Sequence, residues 1–92
     1  MTHPRVFNRK DFPEGAIYIG RGSDWGNPYR IGIHGNRQEV IEKFRFYMGV
    51  RLEQEPFWLE PLRGKNLVCF CAPLECHGDV IATTLDNMTG NQ

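Results

Sequence analysis

The chain has 92 residues, 40% of them hydrophobic and 12% aromatic, which is enough for one core and excludes both a second core and a disordered tail. Eleven basic residues balance eleven acidic ones, which excludes a generally polycationic nucleic-acid binder. No apolar run approaches the roughly 20 residues of a membrane span, and the polar start Met1-Thr2-His3-Pro4-Arg5 is not expected to act as a signal peptide.

Phe12-Pro13-Glu14-Gly15 is turn chemistry, and the β-prone Ala16-Ile17-Tyr18-Ile19 reads as a first strand. A glycine-rich loop follows from Gly20 to Pro28. Tyr29, Ile31 and Ile33 then alternate with polar or small residues, the pattern of a short second strand. Asn36 and Glu39 have the spacing of a capping box. Behind them Val40, Ile41, Phe44, Tyr47, Met48 and Leu52 recur at helical spacing, so the segment predicts an amphipathic helix that Pro56 stops. Phe57 and Trp58 read as satellite core. Asn66-Leu67-Val68-Cys69-Phe70-Cys71 is nearly continuous apolar sequence, the mark of a strand buried on both faces. A last helix is expected from about His77–Asp79, with Val80, Ile81, Thr84, Leu85 and Met88 on one face.

A long helix between two short strands predicts a parallel βαβ unit. The expected architecture is a single small α/β domain over 1–92, with its ordered core at about 16–88. It has a short, mainly parallel sheet and two principal helices. In such sheets ligands sit beyond the carboxyl ends of the strands. The loops Gly20–Pro28 and Ala72–Asp79 should therefore share one edge.

The first loop offers Gly20, Arg21, Gly22, Ser23, Trp25 and Asn27 as ligand-binding residues. Glycine amides approach an anion closely, arginine forks onto phosphate, and tryptophan stacks on a ring. The competing reading is a glycine-rich turn with Trp25 packed as a lid. The spacing fits neither a dinucleotide fingerprint nor a P-loop. His34 is expected in a surface turn.

The second loop holds all three cysteines, an odd and local set that excludes a disulfide scaffold. Three readings stand. Cys69, Cys71, Cys76 and His77 are a candidate zinc set, although the C-x-C-x4-C-H spacing departs from ordinary knuckles. Cys76, at a helix N-terminus that favours a thiolate, or Cys71 is a candidate nucleophile, with His77 and Asp79 as acid–base or orienting groups. Simple burial is the third reading, and the one preferred for Cys69. A Cys71–Cys76 disulfide would need an oxidising setting.

Tyr18-Ile19-Gly20-Arg21, Trp25-Gly26-Asn27-Pro28, Leu62-Arg63-Gly64-Lys65, Cys69-x-Cys71-Ala72-Pro73 and Cys76-His77-Gly78-Asp79-Val80 together resemble a small family of phage and bacterial proteins of unknown function. The resemblance covers about Tyr18 to Leu85. It implies that Arg21, Trp25, Asn27, Cys71, Cys76, His77 and Asp79 form one site, and it implies a phage context. It supplies no reaction.

The expected function is a nucleotide- or nucleoside-directed site, binding or catalytic, built from both loops. One alternative is a zinc-stabilised module that binds nucleic acid through the basic N-terminal half. Residues 1–37 carry six basic and three acidic side chains, and residues 38–92 carry five and eight. The other alternative is a phage protein that inhibits a host factor. The expected location is the cytoplasm, that of the host cell if the protein is phage-encoded. No membrane partner is expected.

Overall fold

A computed structural model describes residues 6–69 and 76–90, with side chains to Met88. Three short strands form the sheet: β1 (Val6–Asn8), β2 (Ile17–Tyr18) and β3 (Leu67–Cys69). Their order is β1-β3-β2, and both pairings are parallel. Leu67 aligns with Val6 on one side and Ile17 on the other, and Val68 aligns with Phe7 and Tyr18. The central strand is buried along its whole length, as its unbroken apolar run requires.

Helix α1 (Arg37–Gln54) has the predicted start. The Asn36 carboxamide accepts from the Glu39 N–H at 2.9 Å, and the Glu39 carboxylate accepts from the Asn36 N–H at 2.8 Å. Two otherwise orphaned amides are thereby satisfied. Val40, Ile41, Phe44 and Met48 are its buried stripe. Helix α2 (His77–Gly90) lies against β1 and β3 and also packs on α1. Ile81, Ala82 and Leu85 of α2 join Phe44, Leu59, Leu62 and Leu67 in the core.

Three expectations need correction. The first strand is Val6–Asn8, ahead of the expected one, so β2 is the second strand. A three-residue strand followed by Arg9 and Lys10 carries no readable alternation, and only its pairing with β3 defines it. The expected strand at Tyr29–Ile33 is a set of turns. The Arg30 carbonyl accepts from both Ile33 and His34 N–H groups, and Gly32 and Gly35 adopt φ of 90° and 138°. Ile31 and Ile33 are exposed, so the alternation there has no sheet to bury one face. Finally, Trp58 belongs to the core, but Phe57 is 76% exposed.

Candidate functional site: a cleft at the carboxyl edge of the sheet

Parallel pairing puts the carboxyl ends of β2 and β3 on one edge, and Gly20, Arg21 and Asn27 of the first predicted loop line one cleft there with Cys76 and His77 of the second. The Ile19 N–H donates to the Val68 carbonyl at 2.9 Å and closes the β2–β3 ladder. The Ile19 carbonyl lies 2.7 Å from Nε2 of His77, at the first position of α2. A carbonyl can only accept, so Nε2 carries the proton and donates. The ring also meets Phe44 edge-on, with centroids 5.0 Å apart. His77 thus joins the first loop, α1 and α2. Burial lowers its pKa below the ordinary 6.5, against the opposing pull of the Ile19 and Trp25 backbone, and the ring is neutral at pH 7.

The first loop divides between support and cleft. The Ser23 hydroxyl donates to the Gly20 carbonyl at 2.7 Å and accepts from the Trp25 N–H. Trp25 packs against the core and donates its indole N–H to the Trp58 carbonyl at 2.9 Å. Of the two readings of Trp25, the packed lid describes its place, and it does not line the cleft. The Asn27 side chain donates to the Val40 carbonyl at 3.2 Å and accepts from the Tyr29 N–H at 2.9 Å, which holds the loop to α1. Gly22 is exposed at φ 95°. Gly20, Arg21 and Asn27 reach the cleft wall.

Gly26 tolerates no side chain. A Cβ there would stand 2.7 Å from the Gly20 carbonyl oxygen, a backbone atom that cannot swing away. Gly26→Ala is expected to cost about 1–3 kcal/mol as overpacking. That lowers the melting temperature by roughly 5–20 °C, readable by circular dichroism.

In the second loop, Cys71 lies outside the described residues. Cys69 is buried as expected, but it is also the partner of Cys76, with the two Sγ atoms 2.7 Å apart. The expected lowering of the Cys76 thiol by the helix N-terminus is opposed by its surroundings. The hydrogen bond with Cys69 comes first, then burial, and together they push the thiol well up, outweighing the favourable Gly78 amide. Cys76 is held as a thiol. Asp79 caps α2: its carboxylate accepts from the Cys76 N–H at 3.0 Å.

The candidate zinc set is described only in part, because Cys71 lies outside the described residues. Two thiolates on a tetrahedral zinc stand about 3.8 Å apart at ordinary Zn–S lengths, against 2.7 Å here. Nε2 of His77 is committed to a carbonyl, which leaves Nδ1 as the ring's acceptor. Among the described residues no group of three His, Cys, Asp or Glu side chains is placed to hold a metal ion.

The loops border a cleft of about 470 Å³. Cys69, Cys76 and His77 form one wall, and Val40 and Ile41 of α1 form another. Arg21, Arg30 and Arg37 all line it, and among the described residues no Asp or Glu does. The first turns of α1 and α2 both border it, and helix N-termini add positive potential. Tyr29 and the exposed Ile31 and Ile33 complete the lining. Sequence reasoning missed Tyr29, Arg30 and Arg37 as site residues. The one available signal was the basic tilt of residues 1–37, which says nothing about convergence. His34 stays in its surface turn, where Nδ1 accepts from the Arg30 N–H at 2.9 Å.

No helix among the described residues is long and apolar enough to cross a membrane. No solved structure matches this chain. It is similar to a protein of Enterobacteria phage T4 described as an uncharacterized 12.4 kDa protein in the nrdA-td intergenic region. The two are 39% identical over 89 residues, covering 91% of this chain and 79% of the T4 protein. The family described as Domain of unknown function (DUF4326) matches residues 5–87. With nearly the whole domain matched, strands, cleft, α1 and most of α2 included, the chain belongs to that family and is a small protein of the phage type.

Proposed function

We propose that the cleft binds a phosphate-bearing, nucleotide-type small molecule. The observation that carries this reading is that Arg21, Arg30 and Arg37 all line one cleft, with no Asp or Glu beside them among the described residues. Guanidinium groups grip phosphate through paired, charge-assisted hydrogen bonds. Tyr29 supplies an aromatic surface and the isoleucines an apolar one for the rest of the ligand. The volume suits a small molecule.

The test is a thermal-shift panel of nucleoside mono-, di- and triphosphates, sugar phosphates and unphosphorylated nucleosides. A nucleotide present at 100 times its Kd is expected to stabilise by about 2.7 kcal/mol, a rise of roughly 10–20 °C. The matching nucleoside should do far less, and added salt should shrink the effect. Equal shifts with nucleoside and nucleotide, or no shift at all, overturn the reading. A second reading, a protein that engages a host factor, is favoured by Phe46 and Phe57, 75% and 76% exposed, with Val50 one turn from Phe46. An empty panel with co-purification of a single host protein would move the conclusion to that surface.

A further inference from the structure

Phosphate binding makes no use of the two buried sulfurs on the cleft wall. Cys69 ends β3, and Cys76 directly precedes α2. Their Sγ atoms are 2.7 Å apart, and neither residue is in a disulfide. Carbon atoms in contact stand about 3.5–4.0 Å apart, so these larger atoms are held unusually close. We propose that Cys69 and Cys76 form a dithiol redox site that exchanges with a low-molecular-weight disulfide entering through the cleft.

Three features support the assignment. The approach is already made, since bonding needs the sulfurs to move only from 2.7 Å to about 2.05 Å. The backbones on both sides are fixed. Cys69 is in register with Asn8 in the sheet. Cys76 is tied to Asp79 twice, through its N–H to the carboxylate and its carbonyl to the Asp79 N–H, both at 3.0 Å. Access exists as well. The residues are only 1% and 3% exposed, yet both border the cleft, so a small reagent has a route that a protein partner lacks.

The exchange balances without a metal or flavin. One thiol loses its proton and attacks the reagent R–S–S–R, forming a mixed disulfide and expelling RS⁻, which takes up the proton. The second thiol, on losing its proton, attacks the protein sulfur of the mixed disulfide and expels a second RSH. Two protein thiols are oxidised to one disulfide, and one reagent disulfide is reduced to two thiols. Closure ties the end of β3 to the start of α2 and removes both S–H groups from the cleft wall. Because Cys76 is held as a thiol, exchange should quicken as pH rises above neutral.

The experiment equilibrates the full-length protein in glutathione buffers of increasing disulfide content, alkylates the remaining thiols and measures intact mass. Cleavage after Phe70 and Glu75 then separates the three cysteines. The expected result is loss of two hydrogens, with the Cys69 and Cys76 peptides linked. Cys71→Ser should behave as the wild type, and Cys69→Ser and Cys76→Ser should form no internal bond. A bond mapped to Cys71, or glutathione adducts with no internal bond, overturns the proposal. If either serine variant fails to fold, the wild-type map and Cys71→Ser still decide it.

Discussion

Arg30→Glu combined with Arg37→Glu is expected to reduce nucleotide affinity by more than 100-fold. A hydrogen bond to a charged group contributes about 1.5–3 kcal/mol, and each 1.4 kcal/mol is tenfold in affinity. Losing two guanidinium contacts therefore reaches two or more powers of ten before repulsion is counted. Both residues line the cleft near its rim, Arg30 in a surface turn and Arg37 at the first position of α1. Arg30→Gln alone should cost about 10–100-fold by the same arithmetic. The paired glutamates should also remove the salt dependence of binding, because that dependence comes from the charge. Titration calorimetry at two salt concentrations reads both. Unchanged affinity in the double variant would dissociate the arginines from the ligand and leave the cleft without its assigned chemistry.

The largest stability loss is expected at His77. His77→Ala removes a ring that packs edge-on to Phe44 and leaves the Ile19 carbonyl without its Nε2–H donor. The cavity and the orphaned carbonyl together cost about 3–5 kcal/mol. That is a fall of more than 10 °C in melting temperature. His77→Phe separates the two contributions. It keeps a ring against Phe44 and loses only the donor, at about 1–3 kcal/mol.

The pH dependence follows from the same residue. Burial lowers the His77 pKa below the ordinary 6.5. The unfolded chain therefore takes up a proton at a higher pH than the folded one. The stability contributed by the neutral buried ring is complete above about pH 6.5, and it is lost as pH falls from there through the folded-state pKa. Within that window the slope is about 1.4 kcal/mol per pH unit. Denaturant melts from pH 7.5 to 5 should show this decline in the wild type and a smaller one in His77→Phe. Equal slopes would show that another group carries the acid sensitivity.

Local signals were the legible part of this chain. Asn36 and Glu39 specify the start of α1 through their own side chains, and Pro56 stops the helix within a few residues. The apolar run at Leu67–Cys69 declares a strand buried on both faces, and the α2 stripe declares its inward face. Such features were readable because capping, periodicity and burial act over one or two turns of chain. The short, parallel βαβ arrangement follows from their order, and with it the approach of Cys76 and His77 to the first loop.

What the sequence alone determined about this protein is thus its α/β class, its helices and the edge where its loops converge. The tertiary structure decided which residues face one another there. β1 exists as a strand because β3 lies beside it. Arg30 and Arg37 are unremarkable surface cations in the sequence, and only the 30–35 turn and α1 bring them to the cleft that Arg21 also lines. Trp25 finds the Trp58 carbonyl 33 positions away, which takes it out of the cleft and into its support. Cys76 meets Cys69 across a strand end and a helix start, and that contact with burial reverses the effect of the helix N-terminus on its thiol. Each of these outcomes depends on distances between residues far apart in the chain, and a local pattern does not encode such distances.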